Sequence, residues 1–168
     1  MSRATVRSAI TTWFAPPVVV GLNTFYSSAP KIQLASDAFA GTVPGTQSGA
    51  VGFPFIEEDA DLRMTSGGLI QGEKLVTYGV GIVLHHYSTQ AKAEDAMGDF
   101  DALIDAVKAR VRAGRATVLG TAGTSNPLFN LGESTKGIKG TYDLPVVENG
   151  MTYLWGVVQF DVEEIIIA

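Results

Sequence analysis

A chain of 168 residues is long enough for one domain with a real core, burying roughly 70% of its unfolded surface. Cysteine is absent, which excludes disulfides, thiolate metal sites and cysteine nucleophiles, and no apolar run approaches the ~18 residues that a membrane span needs. A net charge of −5 with a pI near 4.9 argues against a general nucleic-acid grip, which needs a concentrated basic footprint.

Charged residues make up 17% of the chain, against an average near 25%, while hydrophobic residues make up 46% and the mean hydropathy is +0.20. Two readings follow. One is a well-packed core under a Gly- and Ser-rich surface; the other is a subunit that buries much of its surface against neighbours.

In chain order, Ser2 is placed to cap a first helix that runs to about Phe14, with Val6, Ile10, Trp13 and Phe14 on one face. Pro16-Pro17 ends it. Arg3 and Arg7 ahead of an apolar stretch, with Ser27-Ser28-Ala29 behind it, have the outline of a signal peptide. The prolines and Thr11-Thr12 break the apolar run, so a mature cytosolic chain is expected. Val18 to Leu22 and Lys31 to Leu34 are short strand candidates. Ala35 to Gly72 is dotted with glycine and with Pro44 and Pro54, and is expected to be an irregular insertion. It reads either as a surface insertion packed back on the sheet or as an arm ordered against a neighbouring subunit.

Glu73 to Tyr87 alternates with period two and predicts a strand with one face on a core. A helix follows over roughly Ala91 to Ala113, with Met97, Phe100, Leu103, Ile104, Val107 and Val111 as its apolar stripe. Acidic residues gather at its start and basic ones at its end, as the helix dipole favours, and Gly114 is a natural stop. Ala116 to Gly120 is a brief strand candidate, and Gly120 to Pro127 a loop. Gly140 to Val147 and Met151 to Ile167 flank Glu148-Asn149-Gly150 and predict a hairpin, because Asn-Gly is the leading two-residue turn. The fold class is therefore α+β, a mostly antiparallel twisted sheet packed against an N-terminal helix and one long central helix, as one domain over 1–168.

The chemical motifs fail one by one. His85 and His86 are strand neighbours that point to opposite faces, so they cannot jointly hold a metal. The cluster Glu57, Glu58, Asp59 and Asp61 lacks the spacing of an EF-hand loop. It is read as a solvated acidic loop or as an acidic channel or partner surface. Gly120 to Ser125 lacks the lysine of a P-loop, and Pro127 stands where a nucleophile elbow needs glycine. No catalytic residue, cofactor or metal is assigned, and the chain is read as not an enzyme. Ile165, Ile166 and Ile167 form an apolar end where a chain is usually polar and frayed, so a docked position is expected.

The stretches Val6-Arg7-Ser8-Ala9-Ile10 through Ala15-Pro16-Pro17, Gly21-Leu22, Tyr78-Gly79-Val80-Gly81-Ile82 and Trp155-Gly156-Val157-Val158-Gln159-Phe160 carry a family resemblance. In these, and in element order along nearly its whole length, the chain resembles the tail terminator proteins of long-tailed bacteriophages, of the minor tail protein U type. The resemblance implies a homo-oligomeric ring, typically hexameric, on the head-proximal end of the tail tube. Such a ring stops tube polymerisation and meets the tail tube protein on one side and the neck connector on the other. DNA passes through the lumen without specific binding, no membrane is involved, and the protein resides in the virion at the neck. The 35–72 insertion exceeds what the family core needs. Subunit contacts are expected at Phe53, Phe55 and Ile56, at Ile165, Ile166 and Ile167, and on the exposed face of the long strand. Charged substitution of Ile165 and Ile167 is expected to block the ring and leave the monomer folded. The alternatives are another tail or neck component, such as a tail completion or tube protein, or a small-ligand binder with Trp13, Tyr78, Phe100 and Trp155 lining an apolar pocket.

Overall fold

The computed structural model describes residues 3–31, 35–42, 47–63, 73–90, 92–114, 118–119, 129–131 and 137–167. Within those spans, 58–59, 61–63, 73–75, 118–119, 129–131 and 164–167 are described by backbone alone.

The first helix, α1 (Arg3–Trp13), buries Val6 and Ile10 one turn apart, and Phe14 follows it into the core. The Pro16–Pro17 peptide is cis. Val18 to Leu22 does not form the expected strand. It turns, with Leu22 N bonded to the Val19 oxygen at 3.2 Å, and β1 begins at its end (Leu22–Phe25). A one-turn helix, α2 (Ala35–Ala38), comes next. Of the Lys31–Leu34 candidate, 32–34 lie outside the described residues, as does the Gly120–Pro127 loop.

The expected irregular insertion holds instead a 16-residue strand, β2 (Ser48–Arg63). Its pattern is hidden by Gly49, Gly52 and Pro54, each of which has a local reason. A Cβ at residue 49 would collide with the Ala38 carbonyl oxygen of α2. Ala50 N bonds Gly21 O at 3.0 Å and Gly52 O accepts Tyr26 N at 2.8 Å, so both residues turn their peptide groups away from the next strand. Pro54, two residues further on, shares that side. Its missing N–H therefore costs nothing, because β1 pairs with β2 only over Ala50 to Gly52. The acidic segment lies on this same strand rather than in a loop, with a bulge between Ile56 and Glu58.

The central strand β3 (Glu73–Ser88) pairs antiparallel with β2 and with the last strand, β8 (Met151–Ile167), over its whole length. Strands of this length run about 50 Å, longer than the roughly 40 Å width of a compact domain this size. The far edge of β8 is tiled by three short strands. They are β7 (Val146–Glu148), β6 (Lys139–Tyr142) and β5 (Phe129–Leu131), and β4 (Val118–Leu119) pairs outside β5. The expected Gly140–Val147 strand is thus broken at 143–145, where Pro145 interrupts it. The hairpin turn is the expected one: Asn149 (φ 51°) and Gly150 (φ 74°) are both left-handed, as a type I′ turn requires. Among the described residues only β1, parallel to β2, departs from the antiparallel pattern.

The second long helix, α3 (Ala93–Ala113), carries Glu94 and Asp95 in its first turn and Arg110 and Arg112 in its last. It buries Ala96, Phe100, Leu103, Ile104, Val107 and Val111; Met97, expected in that stripe, is 40% exposed on its flank. Ala96, one turn before Phe100, takes its place. α1 lies over β2, and α3 lies over β8 and β3. The core joins both helices to one sheet face, comprising Val76, Tyr78, Val80, Ile82 and Leu84 of β3 with Leu154, Val158, Phe160 and Val162 of β8. The architecture is α+β, as expected. Every core residue of β3 and β8 has the same parity, which leaves the opposite face of the sheet free of helices α1 and α3.

Candidate assembly surface

From Gly81 to Tyr87 the residues that the register places on that second face are mainly aromatic and aliphatic. Beyond Gly81 they turn polar, with Thr77 of β3 opposite Glu163 and Gly79 opposite Asp161. β3 contributes Val83, His85 and Tyr87, β2 contributes Phe53 and Phe55, and β8 contributes Tyr153, Trp155 and Val157. The rings form a row across three strands. Phe53 stacks on His85 at 5.9 Å between centroids, His85 stacks on Tyr153 at 5.7 Å, and Tyr153 meets Tyr87 at 5.1 Å. A hydrogen bond joins His85 Nδ1 to the Tyr153 hydroxyl. Phe55 lies over Gly81, in the space a Cβ there would need. Trp155 is 39% exposed at the end of the row. Along the strands Gln159 Nε2 donates to Glu57 Oε2 at 2.7 Å, where the bulge brings an exposed carboxylate onto this face.

Partial burial sets the electrostatics of the row. Desolvation lowers the His85 pKa and raises that of Tyr87. The Tyr153 phenol is pushed up to about 12, first by burial and then by Tyr87. All three groups are held neutral near pH 7, so the row of rings itself carries no charge.

On the helix side His86 is 2% exposed and makes a different cluster. Its Nε2 lies 3.0 Å from Ser48 Oγ, and Ser48 Oγ donates to Asp99 Oδ2 at 2.6 Å. Gln90 Nε2 donates to the same carboxylate oxygen at 2.7 Å. The serine proton is held by the carboxylate, so the imidazole donates from Nε2, and Nδ1 is buried with no partner. An activated serine needs the reverse, a histidine accepting the proton and a carboxylate on its other nitrogen. This cluster ties β2 and β3 to α3. The two histidines thus face opposite sides of the sheet, as the period-two reading has it.

Phe53 and Phe55 both belong to the aromatic face, whereas Ile56 packs against the helix-covered core and contributes nothing to that face. Strand parity separates neighbours that sequence proximity grouped. Glu57 is exposed; for Glu58, Asp59 and Asp61, and for Ile165, Ile166 and Ile167, the side chains lie outside the described residues. Their backbones are strand-paired, Glu58 with Gly79 and Ile165 with Leu75. The four aromatics considered for a pocket do not converge. Tyr78 and Phe100 sit in the core, Trp155 is on the opposite face, and Trp13 is pinned under Arg110. Two cavities beside the sheet, among the described residues, hold about 160 and 170 Å³, below the ~300 Å³ at which small-molecule sites begin. Compared against family models and against curated proteins, the chain matches none.

Proposed function

We propose that the chain is a structural subunit that assembles into a ring on the head-proximal end of a phage tail tube, ends tube polymerisation and offers the neck connector a docking surface. The observation that carries this reading is the aromatic face of β2, β3 and β8, which lies opposite α1 and α3. Among the described residues it meets only the one-turn helix α2, at its Gly49–Tyr87 end, and it is half-buried over most of its rings and open at Trp155. A protein working alone has little use for a row of stacked rings across its three longest strands, and such a face is the kind that subunit contacts cover. Scarce charge, at 17% of residues, fits the same reading. So does a net charge of −5, since a channel for DNA should not hold phosphates tightly.

Native mass spectrometry over a concentration series, followed by negative-stain imaging, tests the proposal with and without tube protein. Closed rings are expected, of about six subunits as the family resemblance implies, because a head-to-tail contact ends either in a closed ring or in an open filament. Trp155→Asp and Val157→Asp, at partly exposed positions, should abolish them and leave the monomer's circular dichroism unchanged. A chain that stays monomeric at all concentrations, tube present or not, would overturn the reading.

A further inference from the structure

Two apolar patches lie outside both the core and the aromatic face. The turn between α1 and β1 exposes Val18 (46%) and Val20 (85%), while Val19 between them is buried. This turn feeds β1, which pairs on the side of β2 away from β3. Across the molecule, the link between β6 and β7 meets the start of α3 and encloses a cavity of about 170 Å³. Met97, Tyr142, Leu144 and Leu154 give it apolar walls, with Asp101 and Asp143 among its lining residues. Leu144 is 84% exposed and Tyr142 58%. Because β6 and β7 pair with the far edge of β8, the two patches stand at opposite edges of the sheet.

Their charges are also opposite. The first acidic residue of the chain is Asp37, so the segment that holds α1 and the valine turn carries only Arg3, Arg7 and Lys31. The first thirteen residues of α3 carry Glu94, Asp95, Asp99, Asp101 and Asp105 and no basic residue. Resting on the ring reading and adding an edge contact to the one it places on the aromatic face, we infer that the Val18–Val20 turn of one copy seats in the Met97–Leu144 cavity of the next. Its basic segment then faces the acidic start of the neighbour's α3. The cavity admits a side chain the size of valine's isopropyl group, and the complementary charges orient the approach. The occupant is a second copy because one chain presents both halves at opposite edges. A contact between unlike patches leaves each partner with one half unused, so association continues until a ring closes.

The absence of native cysteine makes the test direct. Val20→Cys and Leu144→Cys, both at exposed positions, are made singly, purified and oxidised separately and together. The mixture is expected to give a disulfide-linked dimer that neither variant gives alone, and the double variant a ladder that ends at the ring size. Adding Asp101→Lys and Asp143→Lys to the Leu144→Cys partner should lower the yield at least three-fold. A mixture that fails to cross-link, or single variants that dimerise as well as the mixture, would overturn the contact. Native mass spectrometry of the unmodified chain separates the two levels. Rings without the cross-link sink only this contact, whereas the cross-link with open chains in place of rings sinks the ring reading and leaves the contact standing.

Discussion

The guanidinium of Arg110 lies over the indole of Trp13, its Cζ 3.7 Å from the ring centroid, while Nη2 donates to the Trp13 carbonyl oxygen at 3.1 Å. This clasp fastens the last turn of α3 to the end of α1, two helices that also share the apolar core. Arg110→Ala should destabilise the fold by about 1–2 kcal/mol, the sum of a cation–π contact and a charge-assisted hydrogen bond. Arg110→Lys should recover only part, since an ammonium cannot both stack flat and reach the carbonyl. Urea denaturation of the three proteins measures it; equal midpoints for the lysine and arginine forms would discount the planar geometry.

His86 and His85 make stability depend on pH. Burial lowers both pKa values, with Asp99 partly opposing the shift at His86. A base whose folded pKa is depressed binds its proton more readily in the unfolded chain. Its contribution is therefore complete above the unfolded value of about 6.5 and is lost as pH falls below it. Between pH about 6.5 and about 5, before most carboxylates titrate, the unfolding free energy should decline. Replacing both histidines by Gln should flatten that interval, and an unchanged slope in the double variant would place its origin elsewhere.

Tyrosine ionisation reports the aromatic face from the alkaline side. Tyr153 is pushed up to about 12 by burial and by Tyr87. Tyr26 is also pushed up to about 12, by burial and by its hydrogen bond to Asp37. At pH 11 an ultraviolet titration of the folded protein should therefore leave both phenols protonated. Raised pKa values of this kind favour the folded state below about 10 and lose that contribution as pH rises further. Tyr153→Phe should remove one late-ionising phenol from the curve, and a curve that keeps both would argue against this environment.

Gly81 and Phe55 test the packing of the same face. The Phe55 ring fills the space a Cβ at residue 81 would take, so Gly81→Ala should cost about 1–3 kcal/mol by displacing it. In a Phe55→Ala background the same change should cost little, because the obstacle is gone. A double-mutant cycle reads the coupling directly, and additive effects would mean that the ring does not occupy that site.

Sequence periodicity carried the fold where apolar residues alternate without interruption. β3, α3 and the Asn149–Gly150 hairpin stand where their patterns place them. β2 was illegible because Gly49, Gly52 and Pro54 each answer to a partner remote in sequence or to an open edge, and no local pattern encodes those. The assembly face was half legible. Period two separates Leu84 from Val83 and His86 from His85, yet both sets are apolar or aromatic, so composition alone cannot say which the helices cover. Phe53, Phe55 and Ile56 show the same limit, since they are sequence neighbours that the fold sends to two sides. The opposed edge patches had no sequence signal beyond the skew of acidic residues toward α3.

The order of the strands bears on how the protein is made. β3 is complete by Ser88, but its partner β8 begins only at Met151, so the middle of the sheet stays open until residues 151–167 have left the ribosome. Pairings this distant in sequence close slowly. Tyr153, Trp155 and Val157 all arrive with that final strand. A nascent or prematurely terminated chain therefore lacks the β8 share of the aromatic row, and only copies translated through β8 can enter an assembly built on it.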